Sequence, residues 1–250
     1  MSSALVASAQ VRAVLSGERT VLSHLAGSPP MTLRETADGL MVVNSAGGPL
    51  RGDATSLTVI VGDGASLSCG SIAATVVQDG PAPNVLSRSD VTVTVGDGGS
   101  FDWRPKPVVV AAGANHVMAL IVRLQGAGRV FVTEVLVLGR HSERPGRVRS
   151  HWAVDVAGRP VLVQDIDLGE GAPHGWAGPA VANGAKALVT ALVFDTDMDE
   201  RACERLAGAT PCGEVLALAG GGVLLQALVD DTVEAEREVS YFAKHVARGR

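Results

Sequence analysis

The residues of this chain that could hold a metal or move a proton are six histidines, three cysteines and a scatter of carboxylates. His24, His116, His141, His151, His174 and His245 include no pair four residues apart and none at the tight spacing of a zinc site. Cys203 and Cys212 are too far apart for a knuckle. No closed, permanent metal site is therefore encoded locally, which leaves a transient one assembled from distant carboxylates or histidines. Asp53, Glu134, Glu143, Asp155, Asp165 and Asp167 are the carboxylates that a β scaffold could bring together. Two such groups at a suitable separation can hydrolyse a glycosidic bond. A sugar site also wants aromatic platforms, and three Trp and one Tyr supply few.

Other catalytic signatures are missing. The chain has no glycine-rich phosphate loop followed by Lys and Ser or Thr, no dinucleotide fingerprint and no nucleophile elbow. Gly220, Gly221 and Gly222 sit in an apolar run with no Lys after them, which predicts a bulge or a close packing point. Arg51-Gly52-Asp53 spells an adhesion tripeptide but reads as a turn between strands. The densest basic stretch, Arg140, Arg144, Arg147 and Arg149 with Arg159 beyond, is broken by Glu143, Pro145 and Gly146. It suits a solvated loop or a protein contact better than a phosphate backbone.

The elements that must position these groups are mostly strands. Leu57 to Cys69 is echoed by Val91 to Trp103, 34 positions on. Each copy has a β-branched run, then Gly-Asp-Gly, then a second alternating run. Asp-Gly reaches the positive φ of a tight turn, so both read as strand–turn–strand units in stacked layers. Further strands are predicted at Val108–Val110, His116–Leu124, Val130–Leu138, His151–Val156, Pro160–Ile166 and Ala187–Phe194. Two helices follow. One is capped by Thr196 or Asp197, runs from Asp199 to Leu206 and ends at Ala207-Gly208. The other spans Val233–Val246, with Val239, Phe242, Ala243 and Val246 on one face, and Ala247–Arg250 frays beyond it.

Composition agrees. With 46% hydrophobic residues, 3% aromatics and 30 glycines, Val, Ala, Leu and Ile must build the core between many turns. No compositional break divides the 250 residues, so one domain is expected over 1–250. A net charge of −5 argues against nucleic acid as a partner. The run from Ala180 to Phe194 contains Asn183 and Lys186 and is too short to span a bilayer. The odd, sparse cysteines and the lack of a secretory signal predict the cytoplasm.

In order, these segments resemble the urease accessory protein UreD (UreH) family. Gly47-Gly48 to Gly52-Asp53 looks like its Gly-Gly…Gly-Asp turn, and Ser71 to Thr75 stands where it has a Thr/Gln/Ala-rich strand. Asp102-Trp103-Arg104-Pro105-Lys106-Pro107 resembles its Glu-Trp-x-Pro-x-Pro signature. Thr133-Glu134 with Leu138-Gly139-Arg140-His141-Ser142-Glu143 resembles its Glu…Leu-Gly-Arg…Glu stretch. Gly158-Arg159-Pro160 to Asp165 is similar to its Gly-x-Pro-Leu-x-x-Asp hairpin. The likeness covers about residues 10–246. It departs at Ser45-Ala46, where the family has Pro-Gly before Gly, at Val76 and Val77, at Ser142, and in lacking a Trp near the C-terminus.

The resemblance implies a mostly β, β-helix-like stack of layers with about two helices near the C-terminus, and no catalysis of its own. It implies urease apoprotein and UreF as partners, with UreG docking through UreF. No tightly bound cofactor is implied, only Ni²⁺ in transit to urease. Asp53, Glu134 and Glu143 stand beside family-like turns or strands and are the expected weak ligands on such a route. The alternatives are an interaction scaffold that never touches metal and a carboxylate-based glycoside hydrolase.

Overall fold

The two Gly-Asp-Gly units lie directly on one another. In the computed structural model, which describes residues 4–81, 84–196, 198, 204, 210–218 and 220–248, Leu57 pairs with Val91 and Ser66 with Ser100, an offset of 34 on both sides of the turn. Asp63 Oδ1 accepts the Asp97 N–H at 2.9 Å, and Asp97 Oδ1 accepts the Ala127 N–H of the next turn at 2.8 Å. A column of turns thus stitches successive layers together, each carboxylate satisfying a backbone donor that the ladder leaves open.

The chain order is β1 (Val6–Ser16), β2 (Arg19–Gly27), β3 (Met31–Thr36), β4 (Gly39–Asn44), β5 (Ala54–Val61), β6 (Ser66–Ser71), β7 (Thr75–Val77), β8 (Ser87–Val95) and β9 (Gly99–Arg104). It continues with β10 (Val108–Val110), β11 (Asn115–Leu124), β12 (Gly128–Leu138), β13 (Arg147–Val156), β14 (Arg159–Leu168), β15 (Ala187–Asp195), β16 (Gly213–Leu218) and β17 (Gly222–Val229). One helix, α1 (Thr232–Arg248), closes the described residues.

A first sheet has the order β14-β13-β11-β8-β5-β1-β2, parallel through its middle and antiparallel at both edges. The second runs β16-β17-β15-β12-β9-β6-β4-β3, with β7 and β10 attached beside β12. Alternation assigns one side of each strand to the space between the sheets. Val11, Val59, Val93, Val122 and Trp152 from the first sheet meet Leu40, Phe101, Val130, Leu192 and Leu224 from the second there. β15 is buried on both faces because α1 covers its far side, where Phe242 and Val246 pack on Phe131, Ala191 and Val193.

The first of the two expected helices, Asp199 to Leu206 with its Ala207-Gly208 end, falls mostly on residues 197, 199–203 and 205–209, outside the described residues. The predicted late helix is present but runs on to Arg248, past the expected fraying point. Ser71–Thr75 is not a strand: its Ile72 to Ala74 form an exposed bend, and pairing resumes only at Thr75. Gly221 and Gly222 are a close packing point, since a Cβ at Gly222 would meet the Phe194 ring and one at Gly221 the Asp195 carbonyl.

Candidate functional site

Between the sheets the apolar packing is interrupted at one level. Thr55, Ser89, Met118 and Ser150 stand in register across the inner face of the first sheet, with Thr55 Oγ1 2.9 Å from Ser89 Oγ. The adjacent row holds Ser87 and His116. A cavity of about 150 Å³ lies at this level, lined by Thr55, Ser89, His116 and Met118 of the first sheet. The opposing sheet contributes Glu134 from β12 and Trp103 from β9.

Glu134 is only 7% exposed. Its Oε1 accepts the Ser150 hydroxyl at 2.8 Å and its Oε2 the Trp152 indole N–H at 3.3 Å, both across the gap between sheets. Neither donor carries a charge. Burial raises the carboxyl's pKa, and the two hydrogen bonds pull against that rise. Once deprotonated, such a group faces the cavity with its charge uncompensated, a setting that favours a cation.

His116, like Asp90 and Lys106, also lines this cavity. It is 1% exposed, and its Nδ1 lies 2.9 Å from Ser87 Oγ. Burial lowers its pKa to about 4, so the imidazole is neutral at physiological pH and has a lone pair to offer.

The three expected transit residues are not brought to one point. Glu134 alone lines the cavity. Asp53 ties down a turn: Oδ1 takes the Leu5 N–H at 2.9 Å and Oδ2 the Leu50 N–H at 2.8 Å. Arg51 of the same tripeptide is held by the Gly113 carbonyl and Asp79. Glu143 sits in the loop after β12, where the Arg140 guanidinium grips both its oxygens and holds its pKa down at about 2. Asp155 caps Gly158, Asp165 bonds His151, and Asp167 pairs with Arg147. None of these lines the cavity. No group of three or more His, Cys, Asp or Glu among the described residues could hold a metal ion.

Thr55, Ser89 and Ser150 escaped the reading of the sequence, and His116 was named only as one of six scattered histidines, although a signal was there. His116 has the same parity as Leu120, Val122 and Leu124, and Ser150 the same as Trp152 and Val154. A polar residue on the apolar side of an alternating strand marks an interior group that needs a partner.

The family profile described as UreD urease accessory protein matches residues 6–249. The chain belongs to the UreD urease accessory protein family. It is similar to urease accessory protein UreD 3 of Streptomyces griseus subsp. griseus, 38% identical over 234 residues, covering 90% of each chain. It is also similar to urease accessory protein UreD of Streptomyces avermitilis, 35% identical over 86% of this chain and 91% of the relative. The UreD of Frankia alni is 38% identical over 81% and 72%. In this UreD-family chain, four of the segments that resembled the family from sequence reach the cavity: Pro49 from the Gly-Gly turn, Ser71 and Thr75, Trp103 with Pro105 and Lys106, and Thr133-Glu134. No helix among the described residues is long and apolar enough to cross a membrane.

Proposed function

We propose that this chain serves urease maturation in the cytoplasm as a non-catalytic scaffold that binds apo-urease, recruits UreF and through it UreG, and shelters Ni²⁺ on its way to urease. Membership of the family over nearly the whole chain supports the accessory role. The transit reading rests on one observation: family-like segments line a cavity on which Glu134 is buried with only uncharged hydrogen-bond donors, whereas the other carboxylate there, Asp90, is paired with Arg88.

Ni²⁺ accepts oxygen and imidazole ligands, so a carboxylate, a neutral imidazole and hydroxyls can hold it weakly and release it. Glu134 supplies the charge, His116 the nitrogen, and Thr55 and Ser89 the hydroxyls. Asp53 and Glu143 act at the margins, the first by fixing the turn that presents Pro49, the second by holding the loop after β12. A scaffold that never touches nickel is the second reading, and the hydrogen bonds from Ser150 and Trp152, which give Glu134 a structural job, favour it.

The deciding experiment is co-expression of the tagged chain with UreF, UreG and the urease subunits. Co-purification of UreF and apo-urease is expected. Glu134→Gln should keep that assembly and lower urease activation when nickel is limiting. Loss of partner binding by the folded wild type would remove the scaffold role, and full activation by Glu134→Gln at limiting nickel would leave only the structural one.

A further inference from the structure

The outer face of the first sheet has no cover. Its middle strands are parallel, and parallel strands are normally packed on both sides. α1 packs on the outer side of the second sheet, whereas no helix or strand among the described residues lies over the first. On that bare side one row runs across the strands from Val163 through Ala153, Ile121, Thr92 and Thr58 to Gln10, each residue the register partner of the next and none charged. Val163 is 64% exposed, which is costly for a side chain with no function in water. Charge begins one row away on either side, at His151 and Asp165 and at Asp155, Arg123 and Arg12. An uncharged centre inside a polar rim is the anatomy of a protein interface.

We propose that a second copy of this chain packs face to face on this surface, about a twofold axis lying along the row. Seven strands spaced about 4.8 Å apart, about eight residues deep at about 3.3 Å each, present roughly 800 Å². That matches what each partner buries in a stable interface of ordinary size, about 800 Å². The apolar side chains choose the axis. Along the row every residue meets its own copy, so Val163, Ala153 and Ile121 bury one another. The flanking rows then trade places, which brings Asp155 of one copy over His151 of the other, two residues to either side of Ala153 on β13. The alternative axis, along the central β8, would lay Ile121 over Thr58 and Ala153 over Gln10, and would set Arg88 against itself. The two outer faces thus close as an aligned β-sandwich. Such a dimer needs neither nickel nor UreF.

Sedimentation equilibrium of the full-length chain, run without partners or added metal, reads the mass directly. With rising concentration the wild type should move from 25.6 kDa to twice that mass. Val163→Glu changes a side chain that stands in solvent, and circular dichroism checks that the variant is folded. It sets two carboxylates against each other on the axis and should weaken dimerisation by about tenfold or more. Val163→Lys should do the same, and mixing the two variants should restore the dimer because unlike charges then meet. A wild type that stays monomeric, a dimer that survives both single variants, or a mixture that fails to recover would each overturn the assignment. If the wild type alone is monomeric and folded Val163→Glu loses UreF or apo-urease on co-expression, the face belongs to that partner and not to a second copy.

Discussion

Trp152 donates its indole N–H to Glu134 Oε2 at 3.3 Å, so an aromatic side chain 1% exposed in one sheet is tied to a carboxyl rooted in the other. The bond crosses the sandwich at the level where the packing opens. Glu134→Ala should strand the Trp152 N–H and the Ser150 hydroxyl, destabilising the protein by about 1–3 kcal/mol. Glu134→Gln keeps an acceptor and removes the buried charge, so its denaturant midpoint should match or exceed the wild type's at pH 8. A Gln variant as unstable as the Ala variant would contradict this account.

His116 makes stability depend on pH. Its pKa falls from 6.5 to about 4 on burial, so the unfolded chain takes the proton first. Its contribution is present above about pH 6.5 and is lost progressively as the pH falls towards about 4. The full loss is about 3 kcal/mol for a shift of this size. Glu134 works the other way, since its raised pKa adds stability as the pH falls through the folded value. Urea melts of wild type and His116→Gln between pH 7 and pH 4 should converge at the acid end. Parallel profiles would show that the imidazole does not titrate as described.

The column of turns predicts a graded pair of effects. Asp97→Ala should lose the cap on the Ala127 N–H and destabilise by about 1 kcal/mol, and Asp97→Asn by less because one carbonyl acceptor remains. Gly126→Ala should be worse than either, because the new Cβ would collide with the Asp97 carboxylate that makes the cap. Thermal melts of the three variants give the order.

The Arg140–Glu143 pair lies on a loop with the guanidinium mostly in solvent. Glu143→Gln should leave the melting temperature unchanged, since exposed ion pairs contribute little. Any fall in urease activation by this variant would then report a lost contact with a partner. A marked drop in melting temperature would show that the loop is part of the folded framework.

The sequence showed the middle of the fold well because local and global preferences agree there. The Gly-Asp-Gly turns fix where β5 and β8 end and where β6 and β9 begin, and their spacing is the stacking offset itself. Residues 5–44 were harder to read: β2 is exposed along most of its length and carries no clean alternation, so nothing in its pattern marks it as a strand. The site was half visible. Glu134 was found through its neighbours in a motif, whereas His116 and Ser89 belong to it only because parallel pairing places β8 beside β11 in one register. Spacing along a chain cannot reveal a cluster assembled by strand pairing across sequence separations of about thirty residues. The same limit applies to Asp53, whose partner Leu5 is 48 positions away.

Both edges of the first sheet are antiparallel, β2 turning back on β1 and β14 on β13. A stack of parallel coils could otherwise lengthen indefinitely, because each new layer would present the same rail as the one before. The reversed strands break that repetition, so an edge no longer templates its own continuation. These hairpins therefore act as terminators, holding the chain to a finite particle where an uncapped stack of the same coils would be a fibre.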